Sequence, residues 1–164
     1  MKHIGLLSDT HGYIDDSILH HFDNCDEIWH AGDIGSVEVL RQLKHCKTLR
    51  AVYGNIDDSQ IRMTVPEIQR FFCDEVDVLI KHIGGYPGRY NRSVWHFIRE
   101  NPPKLFVSGH SHILKVMPDK RLNLLHINPG AAGFSGLHKV RTLVRFRIDG
   151  AEIRDLEVVE LEKR

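Results

Sequence analysis

The sequence lacks the features that would assign it to a specialised class of protein. Its three cysteines, Cys25, Cys46 and Cys73, are odd in number and form no C-x-x-C pair. This indicates reduced thiols in a cytoplasmic protein rather than a disulfide framework. No run approaches the roughly 20 apolar residues that a transmembrane helix needs, and the first apolar stretch is too short for a signal peptide. We therefore expect a cytoplasmic protein with no membrane partner.

Net charge is also absent. Lys plus Arg and Asp plus Glu each number 22, so the formal net charge is zero. This balance argues against a partner held by bulk electrostatics, such as long nucleic acid or an anionic membrane, although it leaves a local basic pocket open. The length of 164 residues and the apolar fraction of 41% are typical of one globular domain, which we expect to span residues 1–164.

Short apolar segments alternate with helical segments in the first half of the chain. Strands are predicted at 3–8, 27–31, 48–53, 76–81 and 105–108, and helices at 15–22, 36–43 and 93–100. Such alternation is typical of βαβ units in a largely parallel sheet. Four further strand candidates follow with few helical residues between them, at 113–117, 122–127, 142–148 and 152–159. The pattern predicts an α/β fold whose second half is mainly antiparallel and meander-like.

Five polar clusters follow these strand candidates at nearly regular intervals of about 22 to 28 positions. They read Asp9-Thr10-His11-Gly12, Gly32-Asp33, Gly54-Asn55, His82 with Gly84-Gly85, and Gly109-His110-Ser111-His112. Loops beyond the carboxyl ends of parallel strands gather along one edge of a sheet, where ligands bind. The spacing therefore predicts that the following side chains converge: Asp9, His11, Asp33, Asn55, His82, His110 and His112.

These side chains form a mixed oxygen and nitrogen donor set without a thiolate. Such a set suits Mn, Fe, Ni, Co or Zn better than Ca or an iron–sulfur cluster. It is too large for one ion that must keep a water, but it fits two ions that share a carboxylate, for which Asp33 is the best candidate. Two ions about 3.5–4 Å apart would hold a bridging hydroxide as the nucleophile, and Asn55 and His110 would help to stabilise the transferred phosphoryl group.

The order D-x-H, G-D, G-N, H, G-H-x-H resembles the signature of calcineurin-like metallophosphoesterases. Residues 4–12 and Ile127-Asn128-Pro129-Gly130 are similar to the small YfcE-like phosphodiesterase group, which the eukaryotic Vps29 also resembles. The resemblance implies a β-sandwich of two mixed sheets flanked by helices, manganese as the usual metal, and dimers or tetramers. It also implies one ion held by Asp9, His11, Asp33 and His112 and another held by Asp33, Asn55, His82 and His110.

Two departures from the family pattern bear on the substrate. Ile56 stands where many larger relatives carry a histidine that contacts the phosphate, which leaves the general acid unassigned. Without one, diesters or esters with good leaving groups should react more readily than alkyl monoesters. The usual H-G is replaced by His82-Ile83-Gly84-Gly85, which predicts an altered loop and, with it, an altered substrate pocket.

Three functions follow from these residues. The primary hypothesis is a metal-dependent phosphodiesterase acting on a small phosphate ester. A Vps29-like protein-interaction scaffold is the first alternative. The second is a small nuclease, for which Lys139, Arg141, Arg145 and Arg147 would supply a basic strip. An exposed polar strand face is the simpler interpretation of that strip.

Weaker candidates surround the predicted metal site. His30 and His126 either orient a ligand from behind or are satisfied core histidines. Arg89 and Arg92 follow the His82 loop and could bind a substrate phosphate, but a solvated helix face is the favoured interpretation. We assign the remaining histidines, His138 among them, to surface or packing positions.

Overall fold

The computed structural model describes residues 1–163, so Arg164, the last residue of the predicted domain, lies outside the described residues. The helices are α1 (Asp16–His21), α2 (Val37–Cys46), α3 (Ser59–Thr64) and α4 (Arg92–Glu100). The strands are β1 (Lys2–Leu7), β2 (Glu27–His30), β3 (Thr48–Ala51), β4 (Ile68–Cys73), β5 (Val76–Lys81), β6 (Gly85–Tyr86), β7 (Arg89–Tyr90), β8 (Leu105–Val107), β9 (Lys115–Asp119), β10 (Leu124–Asn128), β11 (Arg141–Asp149) and β12 (Glu152–Leu161).

Most strands belong to two mixed five-stranded sheets. The first sheet has the order β12-β11-β1-β2-β3, in which β1, β2 and β3 are parallel and β11 is antiparallel to both of its neighbours. The second has the order β4-β5-β8-β10-β9, in which β5, β8 and β10 are parallel and the edge strands are antiparallel. The prediction of an α/β fold with two mixed sheets and a mainly antiparallel second half is confirmed.

The two sheets pack face to face and the helices cover their outer faces. Alternate residues of β1, such as Ile4 and Leu6, meet residues of the second sheet in the central core. Leu7 of β1 faces the other way and packs with residues of α1, α2 and α3. Residues of α4 cover the outer face of the second sheet, where they contact Leu79 and Phe106. No helix among the described residues is long and apolar enough to cross a membrane.

The second half of the chain is not the predicted meander. β10 and β11 lie in different sheets, and β8 and β10 are parallel. The physical reason is that β11 is apolar on both faces: Val144 and Phe146 enter the central core, whereas Leu143 faces the helices. A strand buried on both faces is stable only between two neighbours, and β11 pairs with β1 and β12. Helix α3 and strand β4 were not predicted from the sequence pattern.

Candidate metal centre

The predicted ligands lie just beyond the carboxyl ends of parallel strands from both sheets. Asp9 and His11 follow β1, Asp33 follows β2 and Asn55 follows β3 in the first sheet. In the second sheet, His82 follows β5, and the remaining pair follows β8: His110 and His112. Because the sheets face each other, these two rows of loops meet at one end of the sandwich. The structure brings all the predicted side chains into one cluster.

Three of them form a compact group that we call the first half-site: Asp9, His11 and His112. The Nε2 atom of His112 lies 3.1 Å from Asp9 Oδ1, and that of His11 lies 3.7 Å from the same oxygen. The candidate ligand atoms of the three residues are all within 4.8 Å of one another. This spacing suits donors that would surround a single ion.

Asp33, His82, His110 and Asn55 form the second half-site. The Nε2 atom of His82 lies 3.3 Å from Asp33 Oδ1 and 3.1 Å from Asn55 Oδ1. The Nδ1 atom of His110 lies 3.0 Å from the same Asn55 oxygen. The Asp33, His82 and His110 ligand atoms are again within 4.8 Å of one another, so the second group is as compact as the first.

The Asp33 carboxylate reaches both half-sites. Its Oδ1 atom faces His82 at 3.3 Å, and its Oδ2 atom lies 3.5 Å from His11 Nε2 in the first half-site. Of the two carboxylates, Asp33 is the one that places a different oxygen against a ring nitrogen of each half-site. Asp9 Oδ1 faces ring nitrogens of both, at 3.1 Å from His112 and 3.9 Å from His82, and Asp9 Oδ2 accepts hydrogen bonds from Ser8 Oγ and His110 N. The position of Asp33 therefore fits the bridging role predicted from the sequence.

Unsatisfied buried atoms show that these residues suit divalent cations. Asp9 Oδ1 and His11 Nε2 are buried and have no hydrogen-bond partner of suitable geometry among the described residues. Leaving such atoms unpaired costs about 1–3 kcal/mol each. His82 donates from Nδ1 to the Ala31 carbonyl at 2.7 Å, which fixes its tautomer and leaves the Nε2 lone pair for a metal. The carboxylates and imidazoles present therefore fit divalent cations.

The backbone at the site is held in an uncommon conformation. Eight non-glycine residues in the described part of the chain have positive φ, and five of them are predicted ligands: Asp9, His11, Asp33, His110 and His112. Residues with side chains adopt this left-handed region rarely, at a cost of roughly 1–3 kcal/mol each. The concentration of such residues at one place indicates that the backbone here is locally less stable in exchange for the orientation of these side chains.

Glycines in the sequence clusters allow the ligand loops to approach one another. A Cβ atom at Gly54 would collide with Asp33 Oδ1, and a Cβ atom at Gly109 would collide with Ser8 Oγ and lie 2.8 Å from Asp9 Oδ2. The glycine that precedes Asn55 and the one that precedes His110 are thus required by close packing against the carboxylates. This explains the G-N and G-H pairs of the sequence.

Charges within the cluster shift the pKa of several ligands. Burial would raise the pKa of Asp9, but the close contacts with the His11 and His112 rings outweigh it and hold that pKa far below its usual value. Burial would also raise the pKa of Asp33, but the contact with His82 outweighs burial and lowers it. The contact with Asp9 raises the pKa of His11. Burial would lower the pKa of His82, but the contact with Asp33 outweighs burial and raises it. The carboxylates therefore stabilise positive charge at this place, and a divalent cation would supply such charge.

Asp57 organises the two loops that carry Asp33 and Asn55, and the sequence analysis did not assign it a role. It is buried, and its carboxylate accepts hydrogen bonds from the backbone N–H groups of Gly54, Ile34 and Gly35. The available signal was its place in Gly54-Asn55-Ile56-Asp57, which matches the last position of the larger family motif G-N-H-[DE]. Its contribution arises from long-range contacts, so spacing alone did not indicate it.

His30 supports the loop between the ligands Asp9 and His11. It is fully buried, accepts a hydrogen bond from Gly32 N at Nδ1, and contacts Thr10 Oγ1 through Nε2 at 3.0 Å. Thr10 in turn donates to the Ile34 carbonyl. Burial lowers the pKa of His30 to about 4, so the ring is neutral at physiological pH. Both interpretations offered for His30 hold, because it is satisfied in the core and it also supports the ligand loop.

The other sequence candidates lie in different surroundings. The His138 ring packs edge-on against His112, with 5.1 Å between ring centres, so it belongs to the surroundings of the first half-site. Arg89 and Arg92 are both exposed; Arg92 lies on α4, as favoured from the sequence, whereas Arg89 lies in strand β7 rather than on a helix. His126 is buried beside a cavity that is described below.

Comparisons with known proteins point to one family. A model described as "Calcineurin-like phosphoesterase superfamily domain" matches residues 1–151. A protein of Methanothermobacter thermautotrophicus named "Probable metallophosphoesterase" is 27% identical over 163 residues, which are 95% of this chain and 91% of the relative. A second protein so named, from Methanocaldococcus jannaschii, is 28% identical over 134 residues, 78% of this chain and 67% of the relative.

Solved structures share the fold over nearly the whole chain. A structure described as a novel archaeal phosphodiesterase has a TM-score of 0.74 at 21% identity and covers 97% of this chain and 99% of its own. Vps29 of Entamoeba histolytica, solved in complex with zinc, has a TM-score of 0.75 at 15% identity, with 98% of each chain covered. At such identities these structures are evidence for the shared architecture alone.

Proposed function

The chain belongs to the calcineurin-like phosphoesterase superfamily, and we propose that it is a two-metal phosphodiesterase acting on a small phosphate ester. The observation that carries the proposal is the Asp33 carboxylate, whose oxygens lie 3.3 Å from His82 in one half-site and 3.5 Å from His11 in the other. A shared carboxylate of this kind is what a pair of adjacent ions requires. The membership alone supports a metal-dependent phosphoesterase; the pair of ions and the diester preference are our inference.

Each residue has a specific task in this proposal. Asp9, His11, Asp33 and His112 would hold one ion, and Asp33, Asn55, His82 and His110 would hold the other. Manganese is our first candidate, with Zn, Fe, Ni or Co as alternatives. Such ions would polarise the phosphoryl oxygens and lower the pKa of a water molecule towards neutrality, so that it can attack phosphorus.

Asn55 and His110 are the members of the set that reach the substrate. Both are exposed, whereas Asp9, Asp33 and His82 are buried. Burial, with the charge of His82 adding to it, lowers the pKa of His110, so its imidazole is neutral at physiological pH. The Asn55 amide and the His110 ring can therefore orient the phosphate at the mouth of the site and stabilise charge that develops there.

The residue at position 56 bears on which esters react. Ile56 is 46% exposed beside the second half-site and has no proton to give to a leaving group. Esters whose leaving groups depart without protonation should therefore be the better substrates. This supports a diester, or a monoester with an acidic leaving alcohol, over an alkyl monoester.

The nuclease alternative is weakened by the surroundings of the basic strip. Arg145 pairs with Glu157 at 2.9 Å, and Arg147 lies 3.7 Å from Asp155. Arg141 is buried and donates to the Ala132 carbonyl. These arginines are neutralised or enclosed, which favours a small ester over a long polyanion.

Hydrolysis of bis-p-nitrophenyl phosphate by protein stripped of metal and reloaded with Mn²⁺ tests the proposal. Wild type should be active, and Asp33→Ala and His82→Ala should be inactive, whereas Asp16→Asn, an exposed change on α1, should match wild type. An inactive wild type with two bound ions would instead support a Vps29-like scaffold. Activity on oligonucleotides that falls steeply with salt would support the nuclease. Gel filtration with light scattering would test our proposal that the chain forms a dimer or tetramer.

A further inference from the structure

A cavity of about 270 Å³ lies beside the second half-site. His110 is part of its wall, so the cavity adjoins the place where we propose that the substrate phosphate binds. The remaining wall comes from the loop after β5, from β6, and from the starts of α4 and β9 and the end of β10. The wall residues that matter here are Gly84, Tyr86, Lys115 and His126.

The loop that departs from the family pattern builds one side of this cavity. Gly84 of His82-Ile83-Gly84-Gly85 passes so close to β8 that a Cβ atom there would collide with the Phe106 ring and lie 2.9 Å from Ser108 Cβ. The chain can follow this path only with glycine at position 84. The unusual loop therefore has a defined structural consequence, which is the wall of a pocket next to His110.

His126, a residue of the cavity wall, has an unused hydrogen-bond acceptor. Its ring is fully buried, and its Nδ1 atom lies 3.1 Å from the Phe106 carbonyl. A carbonyl only accepts, so Nδ1 carries the hydrogen and Nε2 is left as an acceptor. The Nε2 atom has no hydrogen-bond partner among the described residues. Burial lowers the pKa of His126 to about 4, so this nitrogen stays unprotonated at physiological pH.

Lys115 brings a positive charge to the same wall. Its Nζ atom lies 3.6 Å from the centre of the Tyr86 ring, and no carboxylate of the described residues forms a salt bridge with it. Its charge also acts on His126, where it adds to the lowering of the pKa. A neutral acceptor and a cation therefore stand close together beside the proposed phosphate site.

We propose that this cavity, the ester pocket, binds one ester group of the substrate through a hydroxyl or amide N–H that donates to His126 Nε2. Lys115 would contact an electronegative atom of the same group, and its charge disfavours a cationic amine there. The volume is below the roughly 300–1,000 Å³ of pockets for drug-sized ligands. The pocket therefore selects a small polar ester group rather than an extended or apolar one. This inference rests on the proposed phosphodiesterase function.

Two matched p-nitrophenyl diesters test the pocket, one carrying a 4-hydroxybutyl group and the other an n-pentyl group of the same length. Wild type should hydrolyse the hydroxyl ester with a kcat/KM roughly 5-fold higher, as one added hydrogen bond allows. His126→Asn keeps a donor near the position of Nδ1 but loses the acceptor, so the preference should vanish. His126→Gln can return an oxygen near the position of Nε2 and should restore part of it. His96→Asn, an exposed change on α4, is the control.

Failure of the pocket and failure of the proposed function give different results. Equal kcat/KM for the two esters in wild type, or a preference that survives in His126→Asn, would overturn the pocket while leaving the phosphodiesterase intact. Hydrolysis of neither ester would defeat the proposed function. Binding in the ester pocket would then be tested by the ¹⁵N resonance of His126 Nε2. This resonance should shift when 4-hydroxybutyl phosphate is added but not when pentyl phosphate is added. An unchanged resonance would overturn it.

Discussion

The first and second half-sites use similar ligands but hold them differently. Every residue of the first has a left-handed backbone, namely Asp9, His11 and His112. In the second, Asp33 and His110 share this backbone, whereas His82 has an ordinary backbone and is fixed instead by its hydrogen bond to the Ala31 carbonyl. Asn55 is likewise oriented by side-chain contacts, at 3.0–3.1 Å from His110 and His82. The first half-site depends on loop geometry, whereas the second combines loop geometry with hydrogen bonds that its side chains make.

The half-sites also differ in what surrounds them. The ester pocket adjoins the second half-site at His110, and a further cavity of about 220 Å³ adjoins it at Asn55 and His82. The first half-site instead has the His138 ring packed against His112. The contrast suggests that the first half-site mainly anchors an ion, whereas the second also meets the substrate. Variants should therefore separate metal retention from substrate binding.

Removal of the Asp33 carboxylate should have the largest effect, because both half-sites lose a ligand at once. Asp33→Asn replaces one charged oxygen by an amide nitrogen that cannot bind a cation. We expect kcat/KM to fall roughly 1,000-fold and bound Mn²⁺ to fall below two ions per chain. Steady-state kinetics and elemental analysis, with Asp16→Asn as the charge-matched control, would measure this. Near-normal activity with two ions retained would disprove the bridging role.

Substitutions confined to one half-site should sharpen the contrast. His112→Ala should weaken metal retention in the first half-site and lower kcat about 100-fold. Asn55→Ala, at the exposed mouth of the second, should raise KM about 10-fold as well as lowering kcat. Kinetics at saturating Mn²⁺ would separate these parameters. Indistinguishable kinetic profiles for the two variants would contradict the proposal that the first half-site retains metal and the second also binds substrate.

Loop packing around the first half-site should respond to a single methyl group. Gly109→Ala would push against Ser8 and Asp9 and should lower the free energy of unfolding by about 1–3 kcal/mol. Gly88→Ala is the control, because an added Cβ there meets nothing within 4 Å; it should show only the left-handed backbone cost of about 1–2 kcal/mol. Chemical denaturation of both variants would test this. A larger loss for Gly88→Ala would contradict the packing explanation.

Acid should weaken metal binding at both half-sites. Contacts with carboxylates raise the pKa of His11 and of His82 above the ordinary 6.5, so protons compete with metal already above that pH. Asp9 and Asp33 have lowered pKa values and stay ionised there. Affinity should therefore fall as pH falls through the raised histidine pKa values, by roughly tenfold per pH unit for each displaced proton. Calorimetric Mn²⁺ titrations in buffers of different ionisation enthalpy would count those protons, and a pH-independent affinity would contradict the shifts.

The sequence pattern predicted the ligand cluster because each ligand directly follows a strand. Asp9, Asp33 and His82 come within a few residues of buried strands, and parallel strands place such loops at one edge. The left-handed backbone of Asp9, His11, Asp33, His110 and His112 was not predictable, since Asp and His adopt it only where tertiary contacts enforce it. The contacts of Ser8 with the Gly32 carbonyl and of Asp57 with Ile34 N were missed because they join loops that are distant in sequence.

The fold was predictable where hydrophobic periodicity is strong. β5 was predicted at its observed bounds, Val76–Lys81, because most of its residues are buried. β4, Ile68–Cys73, was missed because it is an edge strand whose Phe72 is 67% exposed, which obscures the alternation. The sheet that each late strand joins was not predictable from local pattern, since β11 pairs with β1 from the opposite end of the chain.

The most direct test is a crystal grown with Mn²⁺ and measured at the manganese absorption edge. We predict two anomalous peaks per chain, about 3.5–4 Å apart, one beside Asp9 and His112, the other beside His82 and His110, with Asp33 contacting both. A single peak at saturating Mn²⁺, or two peaks of which Asp33 contacts only one, would contradict the shared-carboxylate centre.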